Sequence, residues 1–396
     1  MPVKTGRAPR RNRYGGGVLV ELAVGDAYGA AFEYAPAAVV AEHNTVTGYC
    51  RHPTHAGIAP GDYTDDTQMT LALAELLVDG AEWTPLTIAT KFVEVFRRDP
   101  RVGYASRFHG FLQATRTGAE FLAGIRPDSD KSGAAMRVTP VGLLTSVDEV
   151  RDRAAVQARV THDTPAGVAA AEAAALAVHY CHHDLGPLRD VAAWISDTTG
   201  VDWTRPWAGK VGPKGEMAVR AALTALADAT SMRELLRACV AFTGDVDTVA
   251  TIALAAASRS AEVADDLPMA LIKNLERGPY GFPYLYDLDR RLLSAVSPPV
   301  TDPAALVGTW SDDALYLGAM EAESVTFAAD GTGHHLWENA IGHEKTPFRW
   351  ALTAPGEVRV DDEVRTARLG PGTTATGDRI TVLTLGEARY GRSQHL

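Results

Sequence analysis

Gly61-Asp62-Tyr63-Thr64-Asp65-Asp66-Thr67-Gln68 runs straight into Met69, Leu71, Leu73 and Leu76. The first half is a polar loop and the second carries apolar residues at helical spacing, so the junction predicts a helix entered from an acidic loop. The same arrangement returns at Thr243-Gly244-Asp245-Val246-Asp247-Thr248, which leads into Val249, Ile252 and Leu254. Each junction sets carboxylates and a hydroxyl beside the unpaired amides of a helix start. Outward from these two points, the chain from Gly15 to about Leu293 is rich in Ala and Leu, with apolar residues three and four apart. That period is the mark of helices packed on helices. Helices are predicted over residues 66–78, 83–98, 165–180, 215–227 and 248–264, and strand-like alternation is scarce.

A different pattern begins at Ser294–Pro303, where Ser297-Pro298-Pro299 and Asp302-Pro303 stop helix and read as a linker over residues 294–304. Beyond it, Trp310, Val325-Thr326-Phe327, Phe348–Leu352, Val358–Val360 and Ile380–Leu383 are short β-type runs, separated by turn signals at Asp330-Gly331-Thr332-Gly333 and Pro355-Gly356. The expected organisation is a basic disordered tail over residues 1–13, a helical domain over 14–293, and a small antiparallel β domain over 305–396, read as a partial barrel.

Composition narrows the class. The 396 residues are 46% hydrophobic and 22% charged, and 38 basic against 49 acidic residues give 38 − 49 = −11. An acidic balance without a basic footprint argues against general nucleic-acid binding. Cys50, Cys181 and Cys239 are odd in number and widely spaced, so neither a disulfide framework nor a zinc knuckle is indicated. The run from Val18 to Phe32 is broken by Glu21 and Asp26 and is too short and polar to span a bilayer. The expectation is a soluble, cytoplasmic, monomeric protein without a membrane partner.

The two acidic junctions have a plain explanation, since Asp and Thr are favoured N-caps. One carboxylate suffices for a cap, however, and that leaves adjacent Asp65-Asp66, and Asp245 with Asp247, unaccounted for. Should the clusters face one another, four carboxylates and two threonine hydroxyls make an all-oxygen shell. Such a shell suits Mg²⁺, Mn²⁺ or Ca²⁺ and disfavours zinc. A third piece is Gly25-Asp26-Ala27-Tyr28-Gly29-Ala30-Ala31-Phe32-Glu33. Its glycines are unfavourable in a helix unless something packs closely there, and Glu33 falls where the helical period breaks.

Together these pieces resemble the ADP-ribosylglycohydrolase family, which includes the dinitrogenase reductase-activating glycohydrolase. The resemblance runs from about Tyr14 to Leu293. It rests on Gly25-Asp26 with the following Glu33, Thr64-Asp65-Asp66-Thr67, Arg101 to Tyr104, Gly133-Ala134-Ala135-Met136-Arg137 with Pro140 and Gly142, Thr161-His162, and Gly244 to Thr248. It implies a mainly α fold, a multi-helix orthogonal bundle of that family's type, here followed by the small β domain. It implies two Mg²⁺ or Mn²⁺ ions held by Thr64, Asp65, Asp66, Asp245, Asp247 and Thr248, and metal-dependent hydrolysis of the bond joining ADP-ribose to a protein side chain, small molecule or base. Asp65, Asp66 and Glu33 would be catalytic. Gly133, Ala134, Ala135, Met136, Arg137, His162 and Tyr104 would contact an ADP-ribosylated substrate. The chain departs from the family at Thr243 and Val246, which stand for glycine and threonine, and at Ser132, which stands for asparagine. All ligand types survive. The rival readings are a non-catalytic ADP-ribose binder or structural relative that keeps the fold, and a divalent-metal phosphatase, and the β domain lies outside the resemblance.

Other constellations read as structural. His179, Cys181, His182 and His183 form a polar helix end rather than a zinc site, His334, His335 and His343 decorate a β turn, Trp203 and Trp207 anchor a loop, and Cys239 fills core.

Overall fold

The structure, a computed structural model, describes residues 17–55, 57–316, 320–374 and 378–392; the basic tail expected over residues 1–13 lies outside them. The chain divides into two compact units, Met1–Ala295 and Val296–Leu396.

The described regular elements of the first unit are helices joined by loops. Its centre is built from Leu19–Gly29, Val246–Ala257 and Pro165–His182, whose residues are almost all buried. Helices apolar on every side belong inside, surrounded by other helices. The outer helices are two-faced: Pro85–Arg98 buries Ile88, Phe92, Val93 and Phe96 and turns its charged residues outward. Phe92, Phe96, Tyr104 and Phe121 join Met69, Leu73 and Leu76 in one cluster behind the helix Asp65–Val78. The helix expected over residues 248–264 ends at Ala257, where Ser258 turns its hydroxyl onto the carbonyl of Ala255. Among the described residues no helix is long and apolar enough to cross a membrane.

The second unit corrects the sequence reading. It is neither a small accessory sheet nor a partial barrel but a closed barrel of eight antiparallel strands, so the molecule is not all-α. The strands are β1 (Gly308–Ser311), β2 (Glu321–Phe327), β3 (Thr332–Asn339), β4 (His343–Ala354), β5 (Glu357–Val360), β6 (Glu363–Thr373), β7 (Arg379–Leu385) and β8 (Ala388–Arg392). Each pairs with the next, and β8 returns to β1 through Trp310 opposite Arg392 and Ser311 opposite Gly391. Closure removes the unpaired edges that an open sheet leaves exposed. Trp310, Phe327, Trp350, Val358, Leu383 and Leu385 fill the inside. Strand β6, over which no β-type run was expected, contains Gly370-Pro371-Gly372, and these pair with Val382, Thr381 and Ile380 of β7. Gly372 fits because a Cβ there would come within 2.3 Å of a Val382 methyl.

Candidate active site

The acidic loop before the helix Asp65–Val78 is organised from another helix. Asp26 lies within Leu19–Gly29, fully buried, and its carboxylate accepts four hydrogen bonds. They come from the Thr64 amide (3.0 Å) and hydroxyl (2.8 Å) and from the Thr67 amide (3.0 Å) and hydroxyl (2.6 Å). Asp26 therefore satisfies the helix start from outside, in the way a cap residue would from within. Thr64 holds the N-cap position, yet its side chain makes no capping bond. Its hydroxyl proton is committed to Asp26, which leaves the oxygen lone pairs facing elsewhere. In the sequence, the only sign of this role for Asp26 is a carboxylate in the middle of an apolar helix.

The second loop is brought close by small residues. A Cβ on Gly29 would lie 2.5 Å from the Asp247 Cα, and one on Gly25 would lie 2.8 Å from the Ala250 carbonyl oxygen. The two glycines thus let Leu19–Gly29 touch the backbone of Val246–Ala257, and the expectation of close packing there holds. Gly244 has φ +92 and sits against the Val211 carbonyl, while the Asp245 amide donates to that same oxygen (3.2 Å). Asp245 occupies the N-cap position without capping. Its carboxylate instead has Ser132, Asp247 and Thr248 as side-chain neighbours that favour its charged form, against a rise caused by burial.

Glu33, Asp245 and Asp247 each offer an oxygen within 4.8 Å of the others. Asp65 and Asp66 are not part of that trio; each is raised well above the ordinary carboxylate range by burial first, with Asp26, Asp245 and Glu33 among the charges that add to the rise. Asp247 is raised by burial and then by Glu33, Asp66 and Asp245. Glu33 is pushed up to about 7, by burial first and then by Asp245 and Asp26. Lys131 offsets only part of the rise at Asp245. Buried carboxylates this close cannot all ionise unless positive charge joins them. Asp66 Oδ2 and Asp247 Oδ1 are buried with no hydrogen-bond partner, the vacant valences that a cation would take. The donors are all oxygen, so the set fits a hard divalent ion.

The residues expected to contact substrate divide into two groups. Half-buried Gly133 opens onto His162, whose Cε1 lies 3.0 Å from where a Gly133 Cβ would stand. His162 meets the Thr161 hydroxyl through Nδ1 (2.7 Å) and is driven down to about 3 by burial and then by Arg137, so it is a neutral ring. Ala134, Ala135, Met136 and Arg137 are buried. The Arg137 guanidinium donates to the Gln157 side chain and carbonyl and to Thr161, and lies over the Phe92 ring. Burial lowers it to about 9. Arg137 is thereby an internal brace behind Gly133 and His162. Tyr104 is buried too and donates to Gln68 (2.7 Å), fixing the helix behind Asp65. Gly103, at φ +107, places its Cα where a Cβ would strike Asp65 Oδ1.

A helical domain that brings Glu33, Asp245 and Asp247 together and carries a second acidic helix start, Thr64-Asp65-Asp66, presents a candidate metal centre. The ADP-ribosylglycohydrolase family model matches residues 7–299, and the chain belongs to that family. It is 31% identical over 172 residues to the ADP-ribosyl-[dinitrogen reductase] glycohydrolase of Rhodospirillum rubrum, covering 41% of this chain and 56% of that protein. It is 28% identical over 188 residues to the ADP-ribosylhydrolase ARH3 of Homo sapiens, covering 41% and 48%. An uncharacterized protein of Archaeoglobus fulgidus is 30% identical over 172 residues, covering 40% and 53%. The chain thus spans about half the length of these relatives. A solved chain of an ADP-ribosylglycohydrolase-related protein complex shares the fold, with a TM-score of 0.55 and 24% identity over 72% of this chain and 97% of that one.

Proposed function

We propose that the chain is a metal-dependent hydrolase that cleaves the glycosidic bond between ADP-ribose and a modified protein side chain, small molecule or nucleic-acid base. The observation that carries this reading is the acidic centre itself. Asp66 Oδ2 and Asp247 Oδ1 are buried without partners, and both N-cap residues, Thr64 and Asp245, leave their capping work undone. Such an arrangement is unfavourable as structure alone and sensible as a binding site.

In this reading Thr64, Asp65, Asp66, Asp245, Asp247 and Thr248 hold two Mg²⁺ or Mn²⁺ ions. When bound, these would supply the charge that grips the ribose cis-diol and polarises a water. Asp65 or Asp66 takes the proton of the attacking water or gives one to the leaving group. Glu33, held beside Asp245 and Asp247, is suited to be the second acid/base. The positive charge that develops on the sugar at the anomeric carbon is stabilised by the surrounding carboxylates. Half-buried Gly133 and the neutral His162 ring offer the surface for ADP-ribose, with Ala134 to Arg137 holding that surface from behind.

The test is release of free ADP-ribose from a panel carrying it on arginine, serine, acetate and bases, in Mg²⁺ or Mn²⁺. Asp65→Ala and Asp247→Ala should each abolish release and weaken Mn²⁺ binding. Tight ADP-ribose binding with no release from any linkage would favour the non-catalytic binder instead.

A further inference from the structure

Glu33 follows the helix Leu19–Gly29 on an irregular segment, a position from which a carboxylate would ordinarily wander. Here the single peptide group joining Glu33 to Tyr34 is held at both ends. Its N–H, on Tyr34, donates to the Gly244 carbonyl (2.8 Å), which ties it to the second acidic loop. Its C=O, on Glu33, accepts from His52 Nε2 (2.7 Å). Tyr34 sits at φ +50, a left-handed conformation that costs a side chain-bearing residue roughly 1–2 kcal/mol. The two bonds hold the segment in that conformation.

The His52 ring is itself fixed. Its Nδ1 accepts from the backbone amides of Thr54 (3.1 Å) and His55 (2.9 Å). An acceptor at Nδ1 carries no proton, so in the neutral ring the hydrogen resides on Nε2, aimed at the Glu33 carbonyl. His52 is buried, and the His55 ring lies against it with centroids 4.1 Å apart. The His52 ring joins the 52–55 turn to Glu33.

We propose that His52 is the positioning residue for Glu33: it pins the Glu33–Tyr34 peptide so that the Glu33 carboxylate stays beside Asp245 and Asp247. This rests on the reading of Glu33 as an acid/base. The two ring nitrogens do different work, and two substitutions separate them. His52→Asn keeps an acceptor where Nδ1 stands and loses the Nε2 donor. His52→Gln keeps a donor near Nε2 and loses the Nδ1 acceptor. The full-length variants are compared by hydrogen exchange over residues 30–36 and by steady-state kinetics on whichever linkage the parent chain cleaves. The expected result is that His52→Asn speeds exchange at least tenfold over residues 30–36, leaving 64–70 and 245–250 as in the parent. It should lower kcat at least tenfold with KM within twofold, while His52→Gln stays within threefold of the parent on both readouts. Parent-like behaviour of His52→Asn, or equal loss in both variants with a lowered Tm, would overturn the proposal. If the parent chain releases ADP-ribose from no linkage, the functional reading falls, and the exchange comparison alone decides whether the pin exists.

Discussion

Asp26 is where a single side chain does the most for the site while touching none of the chemistry. Four donors converge on its carboxylate, two from Thr64 and two from Thr67. Hydrogen bonds to a charged group each contribute about 1.5–3 kcal/mol, and leaving buried donors unmet adds to the loss. Asp26→Ala should therefore destabilise the protein by about 3 kcal/mol or more, read from urea unfolding, and should abolish turnover because Thr64 and Asp65 lose their fixed geometry. Unchanged stability would mean that the helix start caps itself. The threonines and aspartates of both loops were legible in the sequence because adjacent carboxylates exceed what a cap needs. The role of Asp26 was not legible, because a lone buried carboxylate reveals its purpose only through donors 38 and 41 residues further on. His52 gave no signal at all. Its part is defined by one backbone carbonyl 19 positions away, and no spacing rule reaches that far.

Helices meet here at distances set by what they lack. Gly29→Ala would drive a methyl to 2.5 Å from the Asp247 Cα, inside any real contact, so the helices Leu19–Gly29 and Val246–Ala257 would have to part. Overpacking of this kind costs about 1–3 kcal/mol, and because the contact is with Asp247 itself the variant should also lose most of its activity. Gly110 makes the control, since it lies in the exposed helix Ser106–Ala114 with nothing within 4 Å of a Cβ. Gly110→Ala should stabilise by up to about 1 kcal/mol and leave turnover alone. The same element scale holds a pH response. His179, near the end of Pro165–His182, meets the Leu144 carbonyl (2.9 Å) and is lowered to about 4 by burial and then by His183. Unfolded, the ring takes a proton near pH 6.5, so between 6.5 and 4 the unfolded chain binds more protons than the folded one. The stability this neutral ring contributes is present above pH 6.5 and is lost as pH falls toward 4, by at most about 3 kcal/mol at 1.36 kcal/mol per pH unit. His179→Gln should flatten the decline of urea midpoint with acidification over that window, and an unaltered slope would assign the decline elsewhere. Periodicity predicted these helices well where both faces had partners, and overran at residue 257 because Ser258-Arg259-Ser260 breaks the helix with no glycine or proline to announce it.

At the scale of the whole chain, the helical unit and the barrel were legible to different degrees for a physical reason. A helix closes its hydrogen bonds within itself, so its signal is local. A barrel closes through partners far apart: β1 is four residues long and finds β8 some eighty positions later, and nothing in Gly308–Ser311 alone says that it will. The acidic centre lies entirely within Met1–Ala295, and the family match stops at residue 299. The barrel supplies none of the carboxylates, and its closed sheet leaves no edge for adding a strand, so its use would lie on its outer face or rim. A chain ending at residue 295 should then release ADP-ribose from a small conjugate at a rate within threefold of the full chain. Against an ADP-ribosylated protein the shortened chain should lose at least tenfold in kcat/KM if the barrel recruits targets. Equal rates on both substrates would strip the barrel of that role. A shortened chain that no longer unfolds cooperatively would make the barrel a brace, and its own stability would then have to be read in every activity measured on the whole.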